Sequence, residues 1–280
     1  MILTRTRSRK PQPVEPGPWS RARLLVMLGA VAVVLVLTLV GGGLAIWYAT
    51  NGNPQSTVAE AAEPAGAQPA DNRPTRDEIA AAAMASVDPQ AAFHPDPAPG
   101  PSASIEVPAP TVLDGIAGVA TGFPQTPAGA VGQFAAIEQS VLESMSLPRA
   151  REIHAAWVRS GGPGFEQWTL TRNVTSFLTS ARQGGVEKDL TTVVSAAPAA
   201  ALVKGVDGPT WTLACVLLDV QAWIKTESRM GYGLCARMEW VEGRWQIAAG
   251  TEPATAPSAW PGSKAAAAAG WLTWIEGEAR

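Results

Sequence analysis

The sequence predicts an α+β domain in which three helices pack on a curved antiparallel sheet of about four strands, preceded by one transmembrane helix and a disordered linker. Three patterns predict this fold class. Residues 24–48 are apolar and uncharged, residues 126–180 have apolar side chains at helical spacing, and residues 211–241 alternate with the period of a strand. We expect five parts, with the bounds 1–23, 24–48, 49–120, 121–250 and 251–280.

Residues 24–48 are expected to cross the cell membrane once. Twenty-five residues form a helix of about 37 Å, which is longer than the hydrocarbon core of a bilayer. Six of the seven charges in residues 1–23 are basic, and basic flanks stay in the cytoplasm. We therefore expect a cytoplasmic tail and an extracytoplasmic remainder. The alternative is a cleaved signal peptide ending near Ala59 or Ala62, but its apolar region is normally shorter.

Residues 49–120 have the composition of a spacer. They contain 11 Pro and 19 Ala in 72 positions and no long apolar periodicity. Such a segment buries too little apolar surface to offset its conformational entropy, so we expect it to be disordered or extended.

The charge distribution argues against nucleic-acid binding outside the membrane. Residues 49–120 have a net charge of −7 and residues 121–280 a net charge of −1. Neither part has the basic field that phosphate contacts require. We expect no direct nucleic-acid binding.

Three helices are predicted at the start of the distal domain. Thr126 is a good N-cap with Pro127 at the first helical position, and apolar residues follow at helical spacing. A second helix begins at Pro148, and a third runs from Phe165 towards residues 184–185.

Strands are predicted next. The first covers residues 190–202, broken near Pro198, and two further strands cover 211–224 and 230–240. Glu242 and Gly243 predict a two-residue hairpin turn that places Trp240 opposite Trp245 in the last strand, 245–249. Asp219, Arg237 and Glu239 are expected to pair across strands on an exposed sheet face.

The carboxyl-terminal extension, residues 251–280, is predicted to pass several prolines before an Ala-rich helix capped by Ser263. Trp271 and Trp274 would give this helix an apolar end. Packing on its own domain and docking on a partner are both open.

The two cysteines of the chain, Cys215 and Cys235, occupy the outer face of neighbouring predicted strands. Pairing them sets Val216 against Leu234 and leaves a turn of about three residues around Lys225. A disulfide would suit an oxidising exterior. Two reduced thiols are the alternative.

Little in the sequence indicates catalysis. His154 is the single histidine of the distal domain, no Cys/His cluster is present, and no nucleotide-binding or nucleophile motif occurs. The side chains predicted to face the interior are almost all aliphatic residues, Met or Trp. Tyr232 is the only aromatic residue with a hydroxyl among them. We therefore expect no enzyme, no cofactor and no metal.

Tryptophan is abundant, with eleven in the chain and most of them after residue 150. Most should fill the core, since each buries a large apolar area. A few are candidates for an interaction surface, because Trp is enriched at interface hot spots. We name Trp211, Trp260, Trp271 and Trp274.

The order of tail, span, three helices and sheet resembles the bitopic assembly-factor component of type IV secretion and conjugation channels. Residues 122–130, Gly-Phe-Pro-Gln-Thr-Pro-Ala-Gly-Ala, are similar to the start of the exported domain in conjugation-associated membrane proteins of high-GC Gram-positive bacteria. The resemblance implies a nuclear transport factor 2-like fold without catalytic residues. It covers the span and about residues 121–250; the long spacer and the carboxyl-terminal extension depart from the family.

The resemblance implies a scaffold or assembly component of a conjugative DNA-transfer apparatus. Its partners would be other subunits of the membrane complex, and we expect a homo-oligomer. Two alternatives stay open: an accessory protein of a lipid-import complex, and a small-molecule-binding or enzymatic domain of the same fold.

Overall fold

A curved six-stranded sheet organises the residues that the computed structural model describes, 74–100 and 102–278. The sheet forms a half-barrel and runs in the order β1-β6-β2-β3-β4-β5. β1 and β6 pair in parallel, whereas the other neighbours are antiparallel. The strands are β1 Ser104–Val107, β2 Val193–Val206, β3 Trp211–Trp223, β4 Glu227–Val241, β5 Arg244–Ile247 and β6 Leu272–Glu276.

Five α-helices accompany the sheet in the described residues: α1 Arg76–Ala81, α2 Pro127–Ser144, α3 Leu147–Trp157, α4 Thr169–Ser180 and α5 Lys264–Ala268. The predicted start of α2 is confirmed: the hydroxyl of Thr126 accepts a hydrogen bond from the backbone of Gly129, and Pro127 occupies the first turn. Helix α3 begins one residue before the predicted Pro148, behind the N-cap Ser146.

The concave side of the sheet holds the main core. Helix α2 packs on β2, β3, β4 and β5, while α3 and α4 pack on α2 and on each other, and the apolar residues of all three belong to one cluster with the sheet. Tryptophan fills much of the space, because Trp157 and Trp245 are almost completely buried there. The Nε1 atom of Trp245 donates a hydrogen bond of 2.9 Å to the carbonyl of Pro124, which satisfies its polar atom.

The predicted hairpins and their register are confirmed. Cys215 pairs with Cys235 and Val216 with Leu234, and a three-residue turn, 224–226, joins β3 to β4. Trp240 lies opposite Trp245 with ring centroids 5.5 Å apart. Both turn residues, Glu242 and Gly243, have positive φ, as a tight hairpin turn requires.

Strand β2 starts later and continues further than predicted, and its register shifts between Pro198 and Ala200. The shift falls where the sequence predicted a break. Proline lacks the N–H that a ladder needs, so an irregularity at this position costs little.

The predicted fold class was wrong in its sheet and in its linker. The sheet has six strands and is mixed, not four-stranded and antiparallel, so the nuclear transport factor 2-like arrangement is overturned. Two strands were missed. β1 has four residues and lies in a Pro-rich segment, and β6 lies where the sequence favoured a helix. Neither strand is long enough to show a period of its own.

The convex side of the sheet is covered, which corrects the prediction that residues 74–120 are disordered and that this face is exposed. Residues of the amino-terminal segment, 74–100, and of the carboxyl-terminal segment, 251–271, form a second core with the outward side chains of the sheet. Leu217 is fully buried within it. The amino-terminal segment contributes only single apolar residues, such as Ile79 and Met84. These are enough to form a core because the outward side chains of the sheet supply the other half of each contact.

The carboxyl-terminal helix is shorter than predicted. Ser263 caps α5 as expected, but the helix ends at Ala268, and Gly270 takes a positive φ that turns the chain into β6. The indole of Trp271 is buried and donates a hydrogen bond of 3.1 Å to the carbonyl of Pro257. This helix therefore packs on its own domain.

The predicted cytoplasmic tail (1–23), membrane span (24–48) and first part of the linker (49–73) lie outside the described residues. Among the helices that the structure does describe, none combines the length and the apolar character needed to cross a bilayer.

Candidate functional site

The predicted disulfide between Cys215 and Cys235 is confirmed. It joins the central strands β3 and β4 on the convex face and is covered by the amino-terminal segment. The Sδ atom of Met84 lies 3.5 Å from the Sγ of Cys235. Both cysteines are buried, so the bond is structural and not a redox site open to solvent.

The four tryptophans proposed as an interaction surface do not form one patch. Trp211 and Trp271 are buried and belong to the interior of the domain, in the two clusters of the convex side. Trp260 is half-buried beneath Arg229, whose guanidinium carbon is 4.9 Å from the ring centroid. Trp274 is half-buried against the main core.

Arg237 and Glu239 pair with residues outside the sheet, which corrects the predicted cross-strand network, whereas Asp219 does pair across strands. Arg237 bonds to Asp77 at 2.6 Å, and Glu239 bonds to Arg76 and Arg159 at 3.2 and 3.1 Å. Asp219 pairs with Arg229. The bonds of Arg237 and Glu239 therefore attach other segments to the sheet, and the bond of Asp219 joins β3 to β4.

An apolar pocket of about 430 Å³ opens at one end of the half-barrel. It lies between helix α4, the carboxyl end of α2 and the hairpin of β3 and β4. No charged side chain lines it. The lining side chains are Leu142, Met145, Asn173, Ser176, Phe177, Ser180, Ala181, Val194, Val220, Ala222, Ile224, Ser228, Met230 and Tyr232.

The inner end of the pocket is polar. The side-chain amide of Asn173 donates a hydrogen bond to the hydroxyl of Tyr232, and no other hydrogen bond of that hydroxyl occurs within the described residues. The phenolic proton is therefore free to be donated. Burial, and next the proximity of the Glu138 carboxyl, raises the pKa of Tyr232, so the hydroxyl stays protonated at neutral pH.

Glu138 is the most unusual residue of the interior. It is fully buried, and neither carboxylate oxygen has a hydrogen-bond partner in the described part of the chain. Burial raises the pKa of this carboxyl well above its ordinary value. Glu138 lies one helical turn before Leu142, which lines the pocket. An orphan carboxyl thus stands behind the inner end of the pocket.

Exposed apolar side chains lie at the end of the sheet where the pocket opens; Ile224 lines the pocket, whereas Val193 and Trp223 are chain neighbours of lining residues and face the other side of the sheet. Val193 and Trp223 face each other at the ends of β2 and β3 and are 58% and 52% exposed. Ile224 continues this edge, and Val186 and Leu190 are exposed in the loop before β2. We call these five residues the apolar rim. An exposed cluster of apolar side chains is unfavourable in water, and such a cluster is typical of a binding surface.

The sequence reasoning missed Glu138 and the pocket. A signal for Glu138 was present, because this carboxylate lies among the apolar positions of α2, between Phe134 and Leu142 at intervals of four. Tyr232 was identified as the inward aromatic hydroxyl. His154, expected to be structural or solvated, contacts the carbonyl of Pro163 at 2.8 Å and the edge of Trp168.

No metal site is apparent in the residues the structure describes, where no three of His, Cys, Asp and Glu cluster. No family model, no curated protein and no solved structure matches this chain. The site must therefore be interpreted from its own geometry.

Proposed function

We propose that this protein is a membrane-tethered, extracytoplasmic interaction domain that assembles with other subunits of a membrane complex, including further copies of itself. The observation that supports this proposal is the apolar rim. Trp223 and Leu190 are large, apolar and exposed, and side chains of this kind are typical of the centre of a protein interface.

The tether is supported by the sequence and by the disulfide. Residues 24–48 are apolar behind a basic tail, which is typical of a single span with its amino terminus inside. The buried bond between Cys215 and Cys235 suits an oxidising compartment, where the domain would then lie.

We further propose that the complex is a conjugative, type IV secretion-like apparatus for DNA transfer. This part of the proposal is supported by the resemblance of residues 122–130 and of the tail-and-span layout. The proposed role is non-catalytic, because Asn173 and Tyr232 bond to each other, the other polar lining residues are serines, and no charged side chain lines the cavity to activate them.

The decisive experiment is a gene deletion in a strain that carries the transfer element, complemented with variants of the rim. We expect the deletion to abolish DNA transfer and the wild-type gene to restore it. Trp223→Ser combined with Leu190→Ser should restore at most about a tenth of wild-type transfer, a loss of binding of about 1.4 kcal/mol. Leu113→Ser, which is 79% exposed and outside the rim, is the matched control.

Two outcomes would overturn parts of the proposal. Unaffected DNA transfer in the deletion strain would overturn the assignment to a conjugative apparatus. If crosslinking in intact membranes yields only monomer, the proposed assembly role is overturned. Loss of lipid uptake in the same deletion, with normal transfer, would favour the lipid-import alternative.

The orientation has a separate test. Leu113→Cys places a thiol on the exposed surface of the distal domain. A maleimide that cannot cross membranes should label this variant in intact cells. Labelling after lysis alone would place the domain in the cytoplasm and overturn the proposed topology.

A further inference from the structure

The pocket behind the apolar rim has the features of a small-molecule site and not of a packing defect. Its volume of about 430 Å³ falls in the range of ligand sites. At roughly 30 Å³ for each water-sized group, it has room for about a dozen such groups. Protein interiors rarely leave a space of this size unfilled.

The pocket has a mouth at the tip of the β3–β4 hairpin and an inner end towards the interior of the domain. Ser228 and Ala222 lie near the tip of the β3–β4 hairpin, and Met230 and then Tyr232 lie further along β4 towards the interior. Helix α4 runs alongside, from Asn173 at the inner end to Ser180 at the mouth. The walls are mostly apolar, with the hydroxyls of Ser176, Ser180 and Ser228 between the apolar side chains, and the hydrogen-bonding pair of Asn173 and Tyr232 marks the inner end.

The hydrogen-bonding pair of Asn173 and Tyr232 determines which group of a ligand can bind at the inner end. The hydroxyl of Tyr232 accepts from Asn173 and retains its own proton for donation. A ligand must therefore offer an acceptor oxygen. An ammonium or a carboxylate would lose its hydration with no charged side chain among the lining residues to compensate. The carboxyl of Glu138 does not line the pocket, and it too lacks a partner.

The walls select the shape of the ligand. Met145 and Met230 lie on two sides of the cavity, and methionine adapts to a flexible chain better than a rigid side chain does. Val194, Val220 and Leu142 complete an aliphatic surface.

We propose that this pocket binds a neutral, lipid-derived molecule: an aliphatic chain of about ten to twelve carbons with a terminal hydroxyl or ester oxygen that accepts a hydrogen bond from Tyr232. The chain enters at the mouth, beside Ile224 and Ser228, with its polar end first. This inference is independent of the DNA-transfer role, since it depends on the pocket alone.

The test uses the full chain in phosphatidylcholine nanodiscs, so that no detergent competes for the pocket. The probe is dodecanol with a photoreactive diazirine, and the competitor is unlabelled dodecanol. Trypsin should release residues 173–182 and, after reduction, residues 230–237, because both peptides are bounded by Arg. These two peptides contain most of the inner lining. We expect them to be labelled and the label to disappear with competitor.

Variants separate the pocket from the bilayer. Ala222→Trp fills the mouth, and Val194→Phe narrows the cavity from β2; each should reduce labelling at least tenfold. Val206→Trp changes an exposed residue at the opposite end of β2 and should leave labelling unchanged. Tyr232→Phe removes the donor and should weaken competition by dodecanol about tenfold, as expected for one hydrogen bond. The intact disulfide and a native circular dichroism spectrum report whether each variant is folded.

Diazirine analogues with an amine or a carboxylate in place of the hydroxyl complete the experiment. Both should label the two peptides at least tenfold less than the alcohol. Equal labelling by a charged analogue would overturn the proposal, as would unchanged labelling in folded Ala222→Trp and Val194→Phe. Label confined to residues 24–48 would show partition into the bilayer and would also overturn it.

Discussion

The guanidinium of Arg237, in the middle of β4, donates a hydrogen bond of 2.6 Å to the carboxylate of Asp77, 160 residues earlier in the chain. The side chain of Arg237 is 6% exposed, whereas that of Asp77 is 84% exposed. The amino-terminal segment therefore brings its own counter-charge to a buried cation of the sheet. This contact joins the covering segment to the central strands.

The first prediction concerns this contact. Asp77→Ala should destabilise the domain by about 1 kcal/mol, because Arg237 loses its acceptor while its outer nitrogen still reaches water. Urea unfolding followed by tryptophan fluorescence measures the change. Glu276→Ala removes an exposed carboxylate that has no hydrogen bond within the described residues and is the control. Equal stability of the two variants would show that the contact contributes nothing.

The second prediction concerns the disulfide. Replacing Cys215 and Cys235 together by Ala should cost about 3 kcal/mol, since the bond closes a separation of 20 residues in the unfolded chain. Unfolding of the oxidised wild type and of the double variant gives the difference. Reduced wild type, unfolded under the same conditions, should match the variant. A variant as stable as the oxidised protein would contradict the expected role.

The third prediction concerns Glu138 and pH. Its folded pKa lies well above the ordinary value of 4.5, so the folded state holds this proton more tightly than the unfolded chain does. The resulting stability is fully present below about 4.5 and is lost as the pH rises towards the raised pKa. Glu138→Gln cannot titrate and should lose less stability than the wild type over the same rise.

The measurement for Glu138 is the free energy of unfolding at about pH 4.5 and about pH 8 in both proteins. Glu78 and Asp189 have lowered pKa values because of hydrogen bonds to Thr75 and to Thr191 and Thr192, and they act in the opposite direction. Both residues are present in both proteins, so the comparison isolates Glu138. An identical pH dependence would show that its carboxyl is not held in its neutral form.

The fourth prediction concerns Gly231. A Cβ at this position would lie 1.8 Å from the carbonyl oxygen of Ala259, which belongs to the covering carboxyl-terminal segment. Gly231→Ala should therefore displace that segment and cost about 1–3 kcal/mol. Gly185→Ala, whose Cβ would approach nothing closer than 3.9 Å, is the matched control. Limited proteolysis should cut within residues 251–262 faster in Gly231→Ala than in the control.

The features predicted correctly depend on neighbours in the chain. Thr126 and Pro127 contain their own helix start, Glu242 and Gly243 their own turn, and the alternation in β3 and β4 defines which residues face the core. A three-residue turn around Lys225 fixes the register of β3 against β4, and this register places Cys215 opposite Cys235. Each of these signals is complete within about twenty residues.

The features predicted wrongly depend on partners far away in the chain. β1 pairs with β6 across about 170 residues, and α1 lies against β2. These elements have only four to six residues each, so none of them shows a period. The pocket was missed for a related reason: its walls come from α2, α4 and three strands, and an unfilled space has no signature in any one of them.

The sequence by itself determined the helices α2 to α4, the hairpins, the disulfide partners and the expectation of a membrane anchor, because propensity, turn chemistry and hydrophobic period act locally. The tertiary structure alone decided that the convex face is covered, that the sheet has six strands, and that Glu138 is buried without a partner near a pocket lined by Tyr232. Burial is a property of what packs against a residue, and for these residues the packing partners come from distant parts of the chain.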